Sequence, residues 1–164
     1  MASYILLIPI LASFIVVFLV LPYWIKRAKK AGLVGKDLHK IDKKDVAESG
    51  GMNVVSGFAV GVLLYIAIST FIFKANVNFI EMFALLNTII LISCVAFTDD
   101  ILGWKMGLRR RTRLILVAFA SIPLIAINAG RSSIGIPFLG PVDVGVLYPL
   151  ILIPLGIVGA TATF

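Results

Sequence analysis

Five apolar runs, at residues 3–25, 52–73, 79–98, 114–130 and 144–164, constrain this chain more than any other feature. Each has the length that an α-helix needs to cross a hydrocarbon core ~30 Å thick, roughly 17–25 residues. Backbone amides in lipid find no water, so a spanning run must close its hydrogen bonds on itself. A soluble core explains the pattern poorly. Soluble domains are about half apolar and about a quarter charged, whereas this chain is 60% hydrophobic and 14% charged, with mean hydropathy +1.09. The excess lies in blocks of 17 or more residues without a Lys, Arg or Asp. The expected fold class is therefore all-α: a polytopic membrane helix bundle of about five transmembrane helices, forming one domain over residues 1–164.

The charges sort by side. Lys26, Arg27, Lys29, Lys30, Lys36, Lys40, Lys43 and Lys44 lie between the first two runs, and Lys105, Arg109, Arg110, Arg111 and Arg113 between the third and fourth. Lys74 and Arg131 stand alone in the other two connections. Thirteen basic residues thus face one side and two the other, and the positive-inside rule assigns the thirteen to the cytoplasm and the N-terminus to the outside. The net charge of +7 follows from this orientation, so no nucleic-acid partner is expected. Membrane lipid and anionic substrates are the partners that such a face suits.

Smaller features agree with this reading. Cys94 lies inside an apolar run and has no cysteine to pair with. The N-terminal run is too long for a signal peptide and lacks a basic residue before it, so it reads as a retained first span. Tyr23 and Trp24 sit where interfacial aromatic anchors belong. Gly57 and Gly61 form a G-x-x-x-G, for which close helix approach and a chance match both stand as readings. The short connection at 74–78 makes the second and third spans antiparallel neighbours. The fifth run reaches Phe164 without a polar flank, and the expectation is an N-terminal fragment.

Chemistry concentrates at Asp99 and Asp100, which follow the third apolar run. Carboxylates at a membrane border are costly and are a functional hypothesis by default, although a single acid there more often marks the water boundary. Adjacent carboxylates point to different helix faces, yet both can approach one divalent cation or its phosphates. The basic segment Arg109–Arg113 reads mainly as an anchor, with one or two members able to fork onto phosphate oxygens. The first cytoplasmic loop, with Gly35, Lys36, Asp37, Glu48, Gly50 and Gly51, is glycine-rich and mixed in charge, equally a ligand loop and a solvated one. His39 is the sole histidine, and metal ligation by it is not expected. Carboxylates, a divalent cation and basic residues at a membrane surface are the equipment of phosphoryl transfer to a lipid phosphate.

Three stretches carry a resemblance to a known family. They are Gly35-Lys36-Asp37-Leu38-x-Lys40 leading to Val46-Ala47-Glu48-Ser49-Gly50-Gly51; Phe97-Thr98-Asp99-Asp100-Ile101-Leu102-Gly103 with the basic segment after it; and Val142-Asp143-Val144-Gly145-Val146-Leu147-Tyr148. In order and in side, the chain resembles the polyprenyl-phosphate N-acetylhexosamine-1-phosphate transferases. The likeness is greatest to their archaeal and eukaryotic branch, the UDP-N-acetylglucosamine–dolichyl-phosphate N-acetylglucosaminephosphotransferases. The bacterial phospho-muramoyl-pentapeptide transferase branch is similar around the aspartates but usually carries a Thr-Pro-Thr-Met-Gly-Gly-like first loop, where this chain has Ala47-Glu48-Ser49-Gly50-Gly51.

The resemblance implies a ten-span, Mg²⁺-dependent enzyme, with Mn²⁺ as an alternative ion. It would move N-acetylglucosamine 1-phosphate from UDP-N-acetylglucosamine to a polyprenyl (dolichyl) phosphate and release UMP, the first step of lipid-linked oligosaccharide synthesis. Asp99 and Asp100 would be catalytic, their separate roles open; Arg111, Arg113 and Lys36 would bind phosphate; Asp37 and Glu48 would shape the substrate ends of the site. No metal ligand is assigned within the chain, with Asp99 or Asp100 as the candidates. The membrane would be the cell membrane of an archaeon or the endoplasmic reticulum of a eukaryote, with the active face cytoplasmic; a homodimer is left open. The fit covers about the first half of the family's architecture, so the 164-residue chain alone is expected to be inactive. The competing class is a non-enzymatic membrane protein, a transporter half or an assembly subunit. Its mid-span polar candidates, Asn87, Ser93 and Asn128, are few and uncharged.

Overall fold

The computed structural model describes residues 2–36, 45–74, 78–130, 132–136 and 140–162. The chain forms two compact units, one of residues 1–77 and 96–107 and the other of residues 78–95 and 108–164.

The first unit is built on two long helices. Helix α1, Ala2–Lys30, runs past the apolar stretch because Arg27, Lys29 and Lys30 occupy its last turn, where cations meet the negative end of the helix dipole. At ~1.5 Å per residue its 29 residues exceed the thickness of a hydrocarbon core. A hairpin follows: β1, Val34–Lys36, pairs antiparallel with β2, Asp45–Ala47. Helix α2, Gly51–Phe71, then returns along α1.

The α1–α2 seam rests on small residues. Asn53, Gly57, Gly61 and Ser69, spaced by multiples of four, are the buried residues of α2. A Cβ on Gly57 would strike Val17 Cγ2 and lie 3.1 Å from the Ser13 carbonyl oxygen; one on Gly61 would lie 3.1 Å from both the Pro9 carbonyl oxygen and Ser13 Cβ. The G-x-x-x-G is therefore a packing surface, one that lets the backbones approach without a hydrophobic driving force. In the same row Asn53 Nδ2 is buried without an acceptor.

Helix α3, Phe79–Met106, gives its first turns to the second unit and its last to the first. It continues well beyond the expected end of the span at residue 98, so Asp99 and Asp100 ride on helical backbone. In the second unit α4, Arg110–Ala120, and α5, Ile122–Ile127, divide the fourth apolar run. The break has two causes: Pro123 has no N–H to give to the preceding turn, and Ser121, fully buried, turns its hydroxyl back onto the Ala118 carbonyl at 2.5 Å. A second hairpin pairs β3, Ser133–Ile136, with β4, Gly140–Asp143. The fifth run begins as a π-helical turn, Tyr148–Leu152, and continues as α6, Ile153–Ala162, which packs on α4.

Among the described residues, three helical segments are long and apolar enough to cross a membrane: Leu6–Lys30, Gly51–Phe71 and Phe79–Leu102. The fourth and fifth runs are helical but shorter, the fifth as Tyr148–Thr161. The fold is predominantly helical, as an all-α membrane bundle requires. Polar side chains in these helices bond to their own backbone: Thr88 to Ala84, Thr70 to Ile66, Asn128 to Leu124 and Thr161 to Ile157. Such bonds satisfy a polar group in lipid without opening a path through it.

The seam yields a direct test. Gly57→Leu is expected to destabilise the detergent-solubilised chain by about 1–3 kcal/mol, the usual cost of overpacking. Gly159→Leu, at a glycine with open space around it, should leave the thermal midpoint within a degree or two. Equal midpoints for both variants would refute the packing role.

Candidate active site

The site of the first unit begins where α1 ends. Gly32 adopts φ +75°, and the Leu33 N–H reaches back to the Ala28 carbonyl at 3.0 Å. This left-handed cap closes the helix and turns the chain into β1. The hairpin register sets Val34 opposite Ala47, Gly35 opposite Val46 and Lys36 opposite Asp45, and Glu48 N–H extends the ladder to the Leu33 carbonyl at 3.1 Å.

Residues 48 and 49 are then held from three sides. Trp24 Nε1 donates to the Glu48 carbonyl at 3.2 Å, while the indole leans on Phe97 with ring centroids 6.1 Å apart and a 53° tilt. The Glu48 carboxylate lies over bare Gly35, where a Cβ would fall 2.5 Å from Oε1. Ser49 takes φ +60°, a conformation unusual for a side chain other than Gly, Asn or Asp. From it, the buried hydroxyl donates to Asp100 Oδ2 at 3.1 Å. The loop carrying Glu48 and the helix carrying Asp100 are thereby joined.

The other expected residues fall as follows. Asp99 is half-buried and Asp100 exposed, about 100° apart around the helix axis. Lys36 lies on β1, and Asp37 lies outside the described residues. Arg111, exposed, and Arg113, half-buried, stand in the first turns of α4 in the second unit. Cations at a helix N-terminus oppose the dipole, so helix stability does not account for them there.

Among the described residues no group of three or more His, Cys, Asp or Glu is gathered to hold a metal. Mg²⁺, however, is commonly bound by one or two carboxylates together with substrate phosphates and water. Asp99 and Asp100 fit that partial donor set, because a carboxylate engaged by one hydroxyl keeps further lone pairs.

The third stretch is a local turn. Asp143 Oδ1 accepts the Gly145 N–H at 3.0 Å, and that bond, with a second from Ser132, holds its carboxyl below the ordinary range. The turn is therefore fully supported above the ordinary carboxylate pKa and loosens as pH falls through the lowered value.

Comparison with known proteins bears on this geometry. Residues 82–164, half of the chain, match glycosyl transferase family 4. The chain belongs to that family. It is 35% identical over 149 residues to a protein of Saccharolobus solfataricus and 33% identical over 149 residues to one of Sulfolobus acidocaldarius. Both are provisionally named UDP-N-acetylglucosamine–dolichyl-phosphate N-acetylglucosaminephosphotransferase; the matches cover 91% of this chain and 43% and 44% of those proteins. A Dictyostelium discoideum protein of the same name is 33% identical over 144 residues, 78% of this chain and 34% of that protein. The chain thus spans less than half the length of these relatives. Family membership agrees with the resemblance read from the three stretches, and with three helices of spanning length the protein is an integral membrane protein.

Two residues that the structure brings to the candidate site, Ser49 and Trp24, were not among the expected ones. Ser49 stood inside a recognised stretch, but its role depends on a left-handed backbone and a partner 51 residues away. Trp24 read as an interfacial anchor, with no sequence signal for its bond to Glu48. Trp24→Phe keeps a ring beside Phe97 and removes that bond, at an expected cost of about 1 kcal/mol. A thermal midpoint a few degrees below that of the unsubstituted chain checks this, and an unchanged midpoint contradicts it.

Proposed function

We propose that this chain supplies the aspartate-bearing part of an enzyme that transfers N-acetylglucosamine 1-phosphate from UDP-N-acetylglucosamine to a polyprenyl (dolichyl) phosphate. One observation carries the reading. In a chain 33–35% identical to proteins named for that reaction, adjacent aspartates sit near the end of a spanning helix, with Asp100 tied to the loop that bears Glu48.

In this reading an oxygen of the lipid phosphate attacks the sugar-bearing phosphorus of the diphosphate. The bond from that phosphorus to the bridging oxygen breaks, and UMP leaves with the electron pair. Asp99 or Asp100 orients the lipid phosphate or takes its proton. Mg²⁺, or Mn²⁺ in its place, would be held in part by Asp99 or Asp100 together with phosphate oxygens of the substrate, and would supply charge neutralisation for the leaving phosphate. On the family resemblance, Arg111, Arg113 and Lys36 would bind phosphate, and Asp37 and Glu48 would shape the substrate ends. The active face is cytoplasmic, the N-terminus is outside, and five spans thread the bilayer of an archaeal cell membrane or of the endoplasmic reticulum. Because the chain spans less than half of its relatives, the remaining ligands are proposed to come from the length those relatives have beyond the match. No observation favours a transporter half or the muramoyl branch.

The test uses the chain joined to the remaining length of its relatives, in vesicles with polyprenyl phosphate and labelled nucleotide sugar. Asp99→Asn and Asp100→Asn are each expected to lower turnover by at least roughly a hundredfold, the scale of lost acid–base or charge-positioning chemistry, with protein levels unchanged. Near-normal turnover in both would overturn the assignment. The 164-residue chain by itself is expected to make no product in the same assay; product from it alone would refute the division of the site.

A further inference from the structure

We infer that Ser49 is a positioning residue for Asp100, retained in a left-handed turn for its hydroxyl; the inference rests on the transferase reading and deepens it. The backbone at Ser49, φ +60°, is one that glycine occupies freely and serine does not. Glycines follow directly at positions 50 and 51, so this segment already carries the residue that the turn prefers. What serine adds is one hydroxyl, and that hydroxyl is bonded to Asp100 Oδ2 at 3.1 Å. The residue is buried at 9% exposure while Asp100 is exposed, so the donor is anchored and the acceptor is the group that needs holding.

The anchoring is over-determined. Glu48 N–H bonds to Leu33, Glu48 carbonyl accepts from Trp24, and the Ser49 carbonyl accepts the Met52 N–H at 3.4 Å as α2 begins. A carboxylate on a helix rotates about its terminal torsion, which is broad and roughly two-fold. A fixed donor on Oδ2 selects one orientation and directs the other oxygen to a constant place. Substituting the partners that orient a metal-binding side chain typically costs about 10–100-fold in metal affinity or activity, and a similar cost is expected here.

Backbone strain and hydroxyl chemistry predict different orders among three residues, which makes the inference testable. In thermal stability the expected order is Ser49→Gly at or above the unsubstituted protein, with Ser49→Thr below both, since a β-branched residue fits a left-handed backbone worst. In turnover the expected order is Ser, then Thr, then Gly. Ser49→Gly should lose roughly ten- to a hundredfold in kcat with KM for UDP-N-acetylglucosamine within about twofold. On the 164-residue chain, Ser49→Gly and Asp100→Ala should have non-additive effects on the thermal midpoint.

Turnover that follows the stability order, a kcat for Ser49→Gly within about twofold of the unsubstituted protein, or additive midpoints would each overturn the inference. Failure of the transferase reading shows differently: the unsubstituted protein then makes no lipid-linked sugar phosphate, and this inference falls with it.

Discussion

The close approach of α1 and α2 is the constraint on which the first unit depends. Gly57 faces Val17 and Ser13, and Gly61 faces Ser13 and Pro9, so four residues forward on one helix match four residues back on the other. Carried eight residues toward the start of α2, that antiparallel register brings position 49 level with the region of residue 25. The bond from Trp24 to the Glu48 carbonyl lies where the register demands. Small residues in lipid-exposed helices thus do more than permit contact, because they determine which loop residue meets the end of α1.

At that end, the elements meet with little freedom. A left-handed cap at Gly32 starts the hairpin, the hairpin delivers Glu48, and Ser49, itself left-handed, turns its hydroxyl toward Asp100. These steps use hydrogen bonds and glycine backbone rather than hydrophobic burial, as expected where a soluble-type core cannot form. The result is a carboxylate on a membrane helix held by a donor on a hydrogen-bonded loop, which is the kind of preorganisation that phosphoryl transfer uses in place of covalent chemistry.

Much of this was legible in the sequence. The apolar runs and the distribution of charge indicate a helical membrane protein because the bilayer leaves few alternatives, and Asp99 and Asp100 stand out as acids beside an apolar run. Helix ends were less legible: α3 runs on to Met106 through Gly103, with no proline between Thr98 and Met106 to stop it, and the fourth run divides because Pro123 and Ser121 act together. The hairpins were invisible, since strands of three or four residues such as Val34–Lys36 carry no periodicity. The contact of Ser49 with Asp100 was hidden for a different reason, because it depends on the sign of one backbone angle and on a register set by glycines elsewhere.

The nucleotide product tests the central claim most directly. With the chain joined to the remaining length of its relatives, UDP-N-acetylglucosamine and polyprenyl phosphate, UMP and a lipid with two phosphates before its sugar are expected in equal amounts. Release of UDP, with one phosphate between lipid and sugar, would show transfer of the sugar alone and contradict the account.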